Sequence, residues 1–287
     1  MPEAERREPE FYRVIEVWTL MALAEGAACA SDLPGRLHEE SAGNLKYRAD
    51  GIVHVSPRQM SLILGRLQRQ GFVKRERLAG AWVVTRRGER EVARLRALDH
   101  PPDTDKDDAA DRLVAMLARM TGLGSARPAP RALDVGTGGG FMACKLAEAG
   151  FDVLGIDRWA EEGSVGSLAA AEQNAREAGL SIEFRRTDVA SLRGRDAFDC
   201  AVASNSVHEM ADPAAAFRAI HRLLKPGGVF AGLDLKVGVP MFLRRRFHTL
   251  LALTSGEWQR ELHAAGFPRV RIHEFGDRLI VFARKAE

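Results

Sequence analysis

The stretch Ala132–Gly140, ALDVGTGGG, decides how the second half of this chain folds. Its apolar start, closed by Asp134 and Val135, reads as a short buried strand that stops at a glycine. Glycines at 136, 138, 139 and 140 then let the backbone bend tightly and lie against a ligand with no side chain between them. Two details narrow the ligand. In a dinucleotide fingerprint, G-x-G-x-x-G counted from Gly136, the third glycine position is occupied by Phe141. Such a loop also seats a pyrophosphate at the helix N-terminus, where the charge of Asp134 would repel it. An acidic residue at this point suits a ligand carrying positive charge.

Outward from this turn, strand and helix patterns alternate. Candidate strands are 132–135, 153–156, 182–185, 200–203, 229–235, 270–275 and 279–283. Helical patterns lie between the first five, which predicts a parallel sheet covered on both faces. The last two, separated by Gly276-Asp277-Arg278, read as a hairpin that leaves an antiparallel strand in the sheet. Pro226-Gly227-Gly228 reads as a structural turn before the fifth strand. The expected fold class is α/β, a doubly wound seven-stranded sheet with its last strand antiparallel and a smaller domain in front. The acidic, proline-bearing run 99–111, DHPPDTDKDDAAD, reads as the linker. It separates a front domain, 1–98, from a second domain, 112–287, that begins with a helix at 113–120.

In the front domain, apolar residues from Val14 to Leu23 follow a helical stripe, and a second helix starts after Ser31. Ser56-Pro57 opens a third helix that stops at Gly71. A two-stranded hairpin turning at Ala79-Gly80 and a helix over 86–98 follow. The segments SPRQMSLILGRLQRQGFVKRE and VVTRRGEREVARLRAL resemble winged-helix regulators of the MarR and PadR types. That resemblance implies that Arg58, Arg66, Arg69, Lys74, Arg75 and Arg77 face phosphates. The plainer reading of the same residues is a solvated helix face, and winged helices also serve methyltransferases as dimerisation or substrate-covering domains.

The segment from Ala132 to Gly140 resembles motif I of the class I S-adenosylmethionine-dependent methyltransferases, which have a Rossmann-like sheet. The resemblance implies S-adenosyl-L-methionine as cofactor, with Asp134, Gly136, Thr137, Gly138 and Gly140 around its methionine end. Asp157 stands 23 residues after Asp134 at the end of the next strand. There it can accept from both ribose hydroxyls, with Arg158 beside it, or act simply as a helix N-cap. By the same resemblance Asp188 and Val189 meet the adenine, and Ser204 and Asn205 line the cofactor's far side.

Methyl transfer from a sulfonium needs in-line placement of the acceptor more than acid or base help, so a base matters for a hydroxyl or a protonated amine. The candidates are His208 and Glu209, in Ser204-Asn-Ser-Val-His-Glu-Met210. Small-molecule O-methyltransferases with a winged-helix front domain have a similar His followed by an acid, usually with a longer chain between the domains. A histidine that only shapes the pocket wall is the competing reading. The Asn-Pro-Pro-aromatic signature of base-amine methylation is absent at Asn205-Ser-Val-His208. Arg244-Arg245-Arg246, among Met241, Phe242, Phe247, Leu250 and Leu251, reads either as an acceptor-pocket wall or as an amphipathic helix with a basic solvent face.

Composition sets the remaining bounds. The chain has 287 residues, 42 basic against 39 acidic, and a net charge of +3, well short of the excess expected of a non-specific nucleic-acid binder. Cys29, Cys144 and Cys200 form no C-x-x-C pair, so neither a disulfide framework nor a zinc site is expected, and no metal site is assigned. The N-terminus is charged and the apolar run 14–30 holds Glu16 and Glu25, so neither a signal peptide nor a membrane span is expected. The chain is therefore expected to be a cytoplasmic methyltransferase with a small-molecule oxygen or nitrogen acceptor and a homodimeric partner. The alternative is a nucleic-acid-directed enzyme or DNA-binding regulator that uses the winged helix.

Overall fold

The computed structural model describes residues 9–43, 55–76, 80–96, 106–124, 128–159, 166–210, 212–237 and 252–287. These divide into two units. The first takes the described residues up to 96, with Val237 and 252–254, and the second takes 106–236 and 255–287. The basic run 244–246 and the apolar residues around it lie outside the described residues, as do Arg77 and Ala79.

The first unit runs α1 (Pro9–Glu25), α2 (Asp32–Gly43), α3 (Pro57–Arg69), β1 (Val73–Arg75), β2 (Trp82–Val84) and α4 (Arg86–Arg96). Helix α3 starts where the Ser56-Pro57 pair predicts. Ser56 Oγ accepts from Gln59 N–H and the Gln59 side chain accepts from Ser56 N–H, a capping box that satisfies two end donors at once. Met60, Ile63, Leu64 and Leu67 recur on one face and are buried against Val14, Ile15 and Trp18 of α1 and Leu33 and Leu37 of α2. Gly71, at φ 75°, turns the chain from α3 into β1, which pairs antiparallel with β2.

The second unit holds α5 (Lys106–Thr121), β3 (Arg131–Val135), α6 (Phe141–Ala149), β4 (Asp152–Asp157), α7 (Leu168–Glu177), β5 (Glu183–Arg186), β6 (Phe198–Ser204), α8 (Pro213–Leu223), β7 (Leu224–Leu235), α9 (Ser255–Ala264), β8 (Arg269–Phe275) and β9 (Arg278–Arg284). Helix α5 begins seven residues earlier than the apolar pattern at Leu113 suggests, inside the acidic stretch expected to be linker. Asp107 and Asp108 fall in its first turn, where the helix dipole favours negative charge. Lys145 of α6 binds both Asp107 and Asp111, and Ala109 and Ala110 are fully buried, so this turn is packed.

The sheet order is β5-β4-β3-β6-β7-β9-β8. The pairs among β5, β4, β3, β6 and β7 are parallel, while β9 runs antiparallel to both β7 and β8. One face is covered by α5 and α6 through Leu113, Leu117, Met142 and Leu146. On the other, Phe217 of α8 packs 5.3 Å from Trp258 of α9 and 5.6 Å from Phe230 of β7. A side chain at Gly232 would meet the Trp258 ring at 3.0 Å, so the glycine makes room for the indole. Pro226-Gly227-Gly228 lies inside β7 and does not precede it. Gly227 N–H bonds to Ala286 O and Lys285 N–H to Gly228 O, and the register slips between Phe198 and Cys200 to absorb the extra residues. Chain order reverses between β3 and β6, so a crevice opens at their carboxyl ends, where ligands bind in open sheets of this kind.

His221 of α8 stands edge-on to Phe267 at 4.9 Å, and burial, with Lys285 adding, pushes its pKa below the ordinary 6.5. The folded state then binds fewer protons than the unfolded one, so this contribution is full above about pH 6.5 and is lost as pH falls through the depressed value. His221→Gln is expected to melt with a smaller loss of stability between neutral pH and about pH 5 than the parent, read by thermal denaturation at each pH.

Candidate functional site

Three carboxylates stand at the carboxyl ends of sheet strands: Asp134 on β3, Asp157 on β4 and Asp234 on β7. Asp134 is buried, and its Oδ2 accepts from Thr137 Oγ1 at 2.6 Å, which closes the turn after β3. Gly136 and Thr137 N–H both bond to Ile156 O of β4, at 2.9 and 3.1 Å. Gly136 has φ 73°, and a Cβ there would fall 2.4 Å from Ser206 Cβ, so the residue must be glycine on both counts. Gly140 caps α6 in the left-handed region and donates to Thr137 O. At Gly138 a Cβ would meet nothing within 4 Å, so the loop faces open space there. A cationic ligand that also carries hydroxyls fits the buried negative charge of Asp134 and the carboxylate of Asp157 beyond it.

Asp157 is half-buried and already employed. Its Oδ2 accepts from Gly138 N–H at 2.9 Å and its Oδ1 from Trp159 N–H at 3.2 Å, while each oxygen keeps lone-pair capacity for a hydroxyl. Trp159, buried and at φ 37°, donates its indole N–H to Gly138 O at 2.8 Å, so Gly138 is held at both its N–H and its C=O from the end of β4 and the residues just after it. Arg158 reaches Asp188 at 4.0 Å, with both side chains near half exposed, a pair of small energetic weight. Asp188 caps the short 3-10 turn Val189–Ser191 by accepting from Ala190 N–H, and Val189 beside it is buried.

Beyond β6 the chain passes through Ser204 and Asn205. Asn205 has φ 51°, a region that costs a non-glycine residue of the order of 1 kcal/mol and that asparagine tolerates comparatively well. Its N–H bonds to Leu233 O at 2.7 Å, its Oδ1 accepts from Arg278 Nη1 at 2.7 Å, and its Nδ2 reaches Ser204 Oγ at 3.4 Å. The turn carries Ser206 Oγ to Val135 O at 2.9 Å and brings His208 back over β7.

His208 is buried, and its Nδ1 lies 2.6 Å from Asp234 Oδ1; its own N–H bonds to Asp234 Oδ2 at 3.3 Å. A carboxylate only accepts, so Nδ1 carries the proton in this pair. Glu209 Oε1 stands 3.8 Å from Nε2, with its side chain 41% exposed. Asp234 itself is fully buried and also accepts from Leu235 N–H. The structure therefore brings His208 and Glu209 together, as the spacing suggests, and adds a partner that sequence reasoning passed over. The missed signal was an acid at the end of the apolar run Val229–Leu235, the same pattern that marks Asp134 and Asp157. Trp159, Ser206 and Arg278 were missed because their roles depend on contacts across strands. The pKa of the Cys144 thiol, on α6, is pushed up by burial, with Glu148 and Asp134 adding, which disfavours the reactive thiolate. Among the described residues no group of three His, Cys, Asp or Glu could hold a metal ion, and no helix is long and apolar enough to cross a membrane.

Residues 133–232 match the family model described as a methyltransferase domain. The chain is 35% identical over 103 residues to a ubiquinone biosynthesis O-methyltransferase of Paramagnetospirillum magneticum, a match covering 36% of this chain and 39% of the relative. It is 38% identical over 100 residues to the protein of the same name in Methylococcus capsulatus, covering 34% and 40%. The chain thus spans about two fifths of the length of these curated relatives. A solved S-adenosylmethionine-dependent methyltransferase from Mesorhizobium loti superposes with a TM-score of 0.47 at 24% identity, covering 63% of this chain and all of that one.

Gly136→Ala is expected to destabilise the second unit by about 2 kcal/mol or more, from left-handed strain plus the collision with Ser206. Adding Ser206→Gly is expected to recover part of that loss by removing the collision alone. Urea denaturation of the single and double variants makes the comparison.

Proposed function

We propose that this protein is an S-adenosylmethionine-dependent methyltransferase acting on a hydroxyl of a small molecule. The observation that carries the reading is the buried Asp234–His208 pair beside a glycine cradle with buried negative charge. Transfer to an amine that is already neutral would not require such a base, so the pair favours oxygen over nitrogen as the acceptor atom. The matched methyltransferase domain and the two relatives with O-methyltransferase in their names support it.

In this reading Asp134, Gly136, Thr137, Gly138 and Gly140 hold the methionine end of the cofactor. Asp157, with Arg158 beside it, takes the ribose hydroxyls, Asp188 and Val189 meet the adenine, and Ser204 and Asn205 border the far side. When bound, S-adenosylmethionine supplies a methyl group on a positively charged sulfur. The protein's own work is to orient the acceptor, exclude water and move one proton. His208 Nε2 takes the acceptor's hydroxyl proton as the oxygen becomes the nucleophile. Asp234 holds the ring by Nδ1–H and stabilises the imidazolium that forms, as a buried carboxylate does for a histidine base. Glu209, on the exposed side, stabilises the new Nε2–H and offers it a route to solvent.

The front unit is a winged helix in this reading, on the order helix, helix, helix, hairpin, helix. A nucleic-acid role is not adopted, because two of the residues expected to face phosphates already have partners within this unit. Arg66 binds Glu16 at 3.0 Å and Arg75 donates to Gly80 O. A homodimer formed through this unit and a cytoplasmic setting complete the proposal.

His208→Gln and Asp234→Asn are each expected to lower kcat by about 10²–10⁴-fold, the usual worth of a general base. Both are expected to leave the affinity for S-adenosylhomocysteine within about threefold. Turnover is read as methyl transfer from labelled S-adenosylmethionine to a panel of phenols and catechols, and affinity by calorimetry. A parent protein that releases no heat with S-adenosylhomocysteine overturns the reading.

A further inference from the structure

Arg278 opens β9, and its side chain is almost wholly buried, an unusual place for a guanidinium. Arg278 pairs with Leu235 at the carboxyl end of β7, so it lies one strand beyond the strand that holds Asp234. From there its Nη1 reaches across to Asn205 Oδ1 at the end of β6, 2.7 Å away and 73 residues earlier in sequence. Asn205 is the residue whose left-handed backbone turns the chain at the site. The turn has two consequences within three residues. Ser206 is laid against Gly136 and bonds to Val135 O, and His208 is returned to Asp234. The hydrogen bond is charge-assisted and partly buried, which favours the backbone conformation that makes it over the more populated ones.

We propose that Arg278 is a positioning residue for His208: its guanidinium clamps Asn205 in the left-handed conformation that aims the imidazole at Asp234. The inference rests on the reading of His208 as the general base, and assigns to the β8–β9 hairpin a part in the reaction. Asn205 then has a second duty besides bordering the cofactor, since its side-chain carbonyl is held by Arg278. Among the described residues, charged groups that face the His208 ring include Asp234 from β7 and Glu209 from its own turn, and Arg278 acts on it through the Asn205 backbone.

The test uses the full chain without ligand and reads the Nδ1–H of His208 by NMR of protein labelled with ¹⁵N-histidine, assigned through His208→Gln. In Arg278→Gln the solvent exchange of that proton is expected to rise by about tenfold or more, while the amide of Leu133 in β3 keeps its protection. Combining Arg278→Gln with Asn205→Gly is expected to bring the exchange back to within about threefold of the parent, because glycine adopts a left-handed backbone without a clamp. Unchanged exchange in Arg278→Gln overturns the proposal, and so does a rise that Asn205→Gly fails to reverse. If Arg278→Gln does not fold, Arg278→Lys replaces the planar fork with a single ammonium. A smaller rise, again reversed by Asn205→Gly, is then expected, and no rise or no reversal overturns the clamp. Calorimetry of the parent with S-adenosylhomocysteine is run alongside. Silence there strikes the methyltransferase reading and leaves the NMR comparison intact, so the two failures are told apart.

Discussion

The absence of one side chain at Gly136 permits the whole carboxyl edge of the sheet to assemble. The chain leaving β3 bends there with φ 73° and packs its bare Cα against Ser206, which arrives from the end of β6. Any Cβ would push the two strand ends apart. With them would move the glycine loop braced on Asp157 and Trp159 from one side, and the turn carrying His208 on the other. The site is therefore a product of two chain segments that approach because the glycine leaves room for the Ser206 side chain.

Charge is distributed along this edge with a consistent logic. Asp134, Asp157 and Asp234 each end a strand, and each is held by neighbours that donate to it: Thr137, then Gly138 and Trp159, then His208 and Leu235. Buried carboxylates need such donors to stay ionised, and ionised carboxylates suit a cationic ligand and a proton-accepting imidazole.

Much of the second unit is legible in the sequence because its strands are short apolar runs stopped by glycine or acid. The seven expected strands match those in the structure to within a few residues except at Pro226-Gly227-Gly228. There local turn chemistry argues for a loop, but bonds between Gly228 and Lys285 and between Gly227 and Ala286, 57 and 59 residues apart in sequence, draw the segment into β7. The start of α5 was hidden for a different reason: charged residues look like linker until Lys145 is placed beside Asp107 and Asp111. The cap at Ser56 was legible because both of its partners lie within three residues.

From the sequence alone come the period of each element, the side-chain-free bend at 136–140, and the acids and histidine available near strand ends. Those are local properties, written in residue type and spacing. Only the tertiary structure decides that Asp234 and not Glu209 holds Nδ1 of His208, that Asp157 braces the loop, and that Arg278 reaches Asn205. Each of these joins residues on different strands, and which strands are neighbours follows from the order β5-β4-β3-β6-β7-β9-β8, which no local pattern encodes.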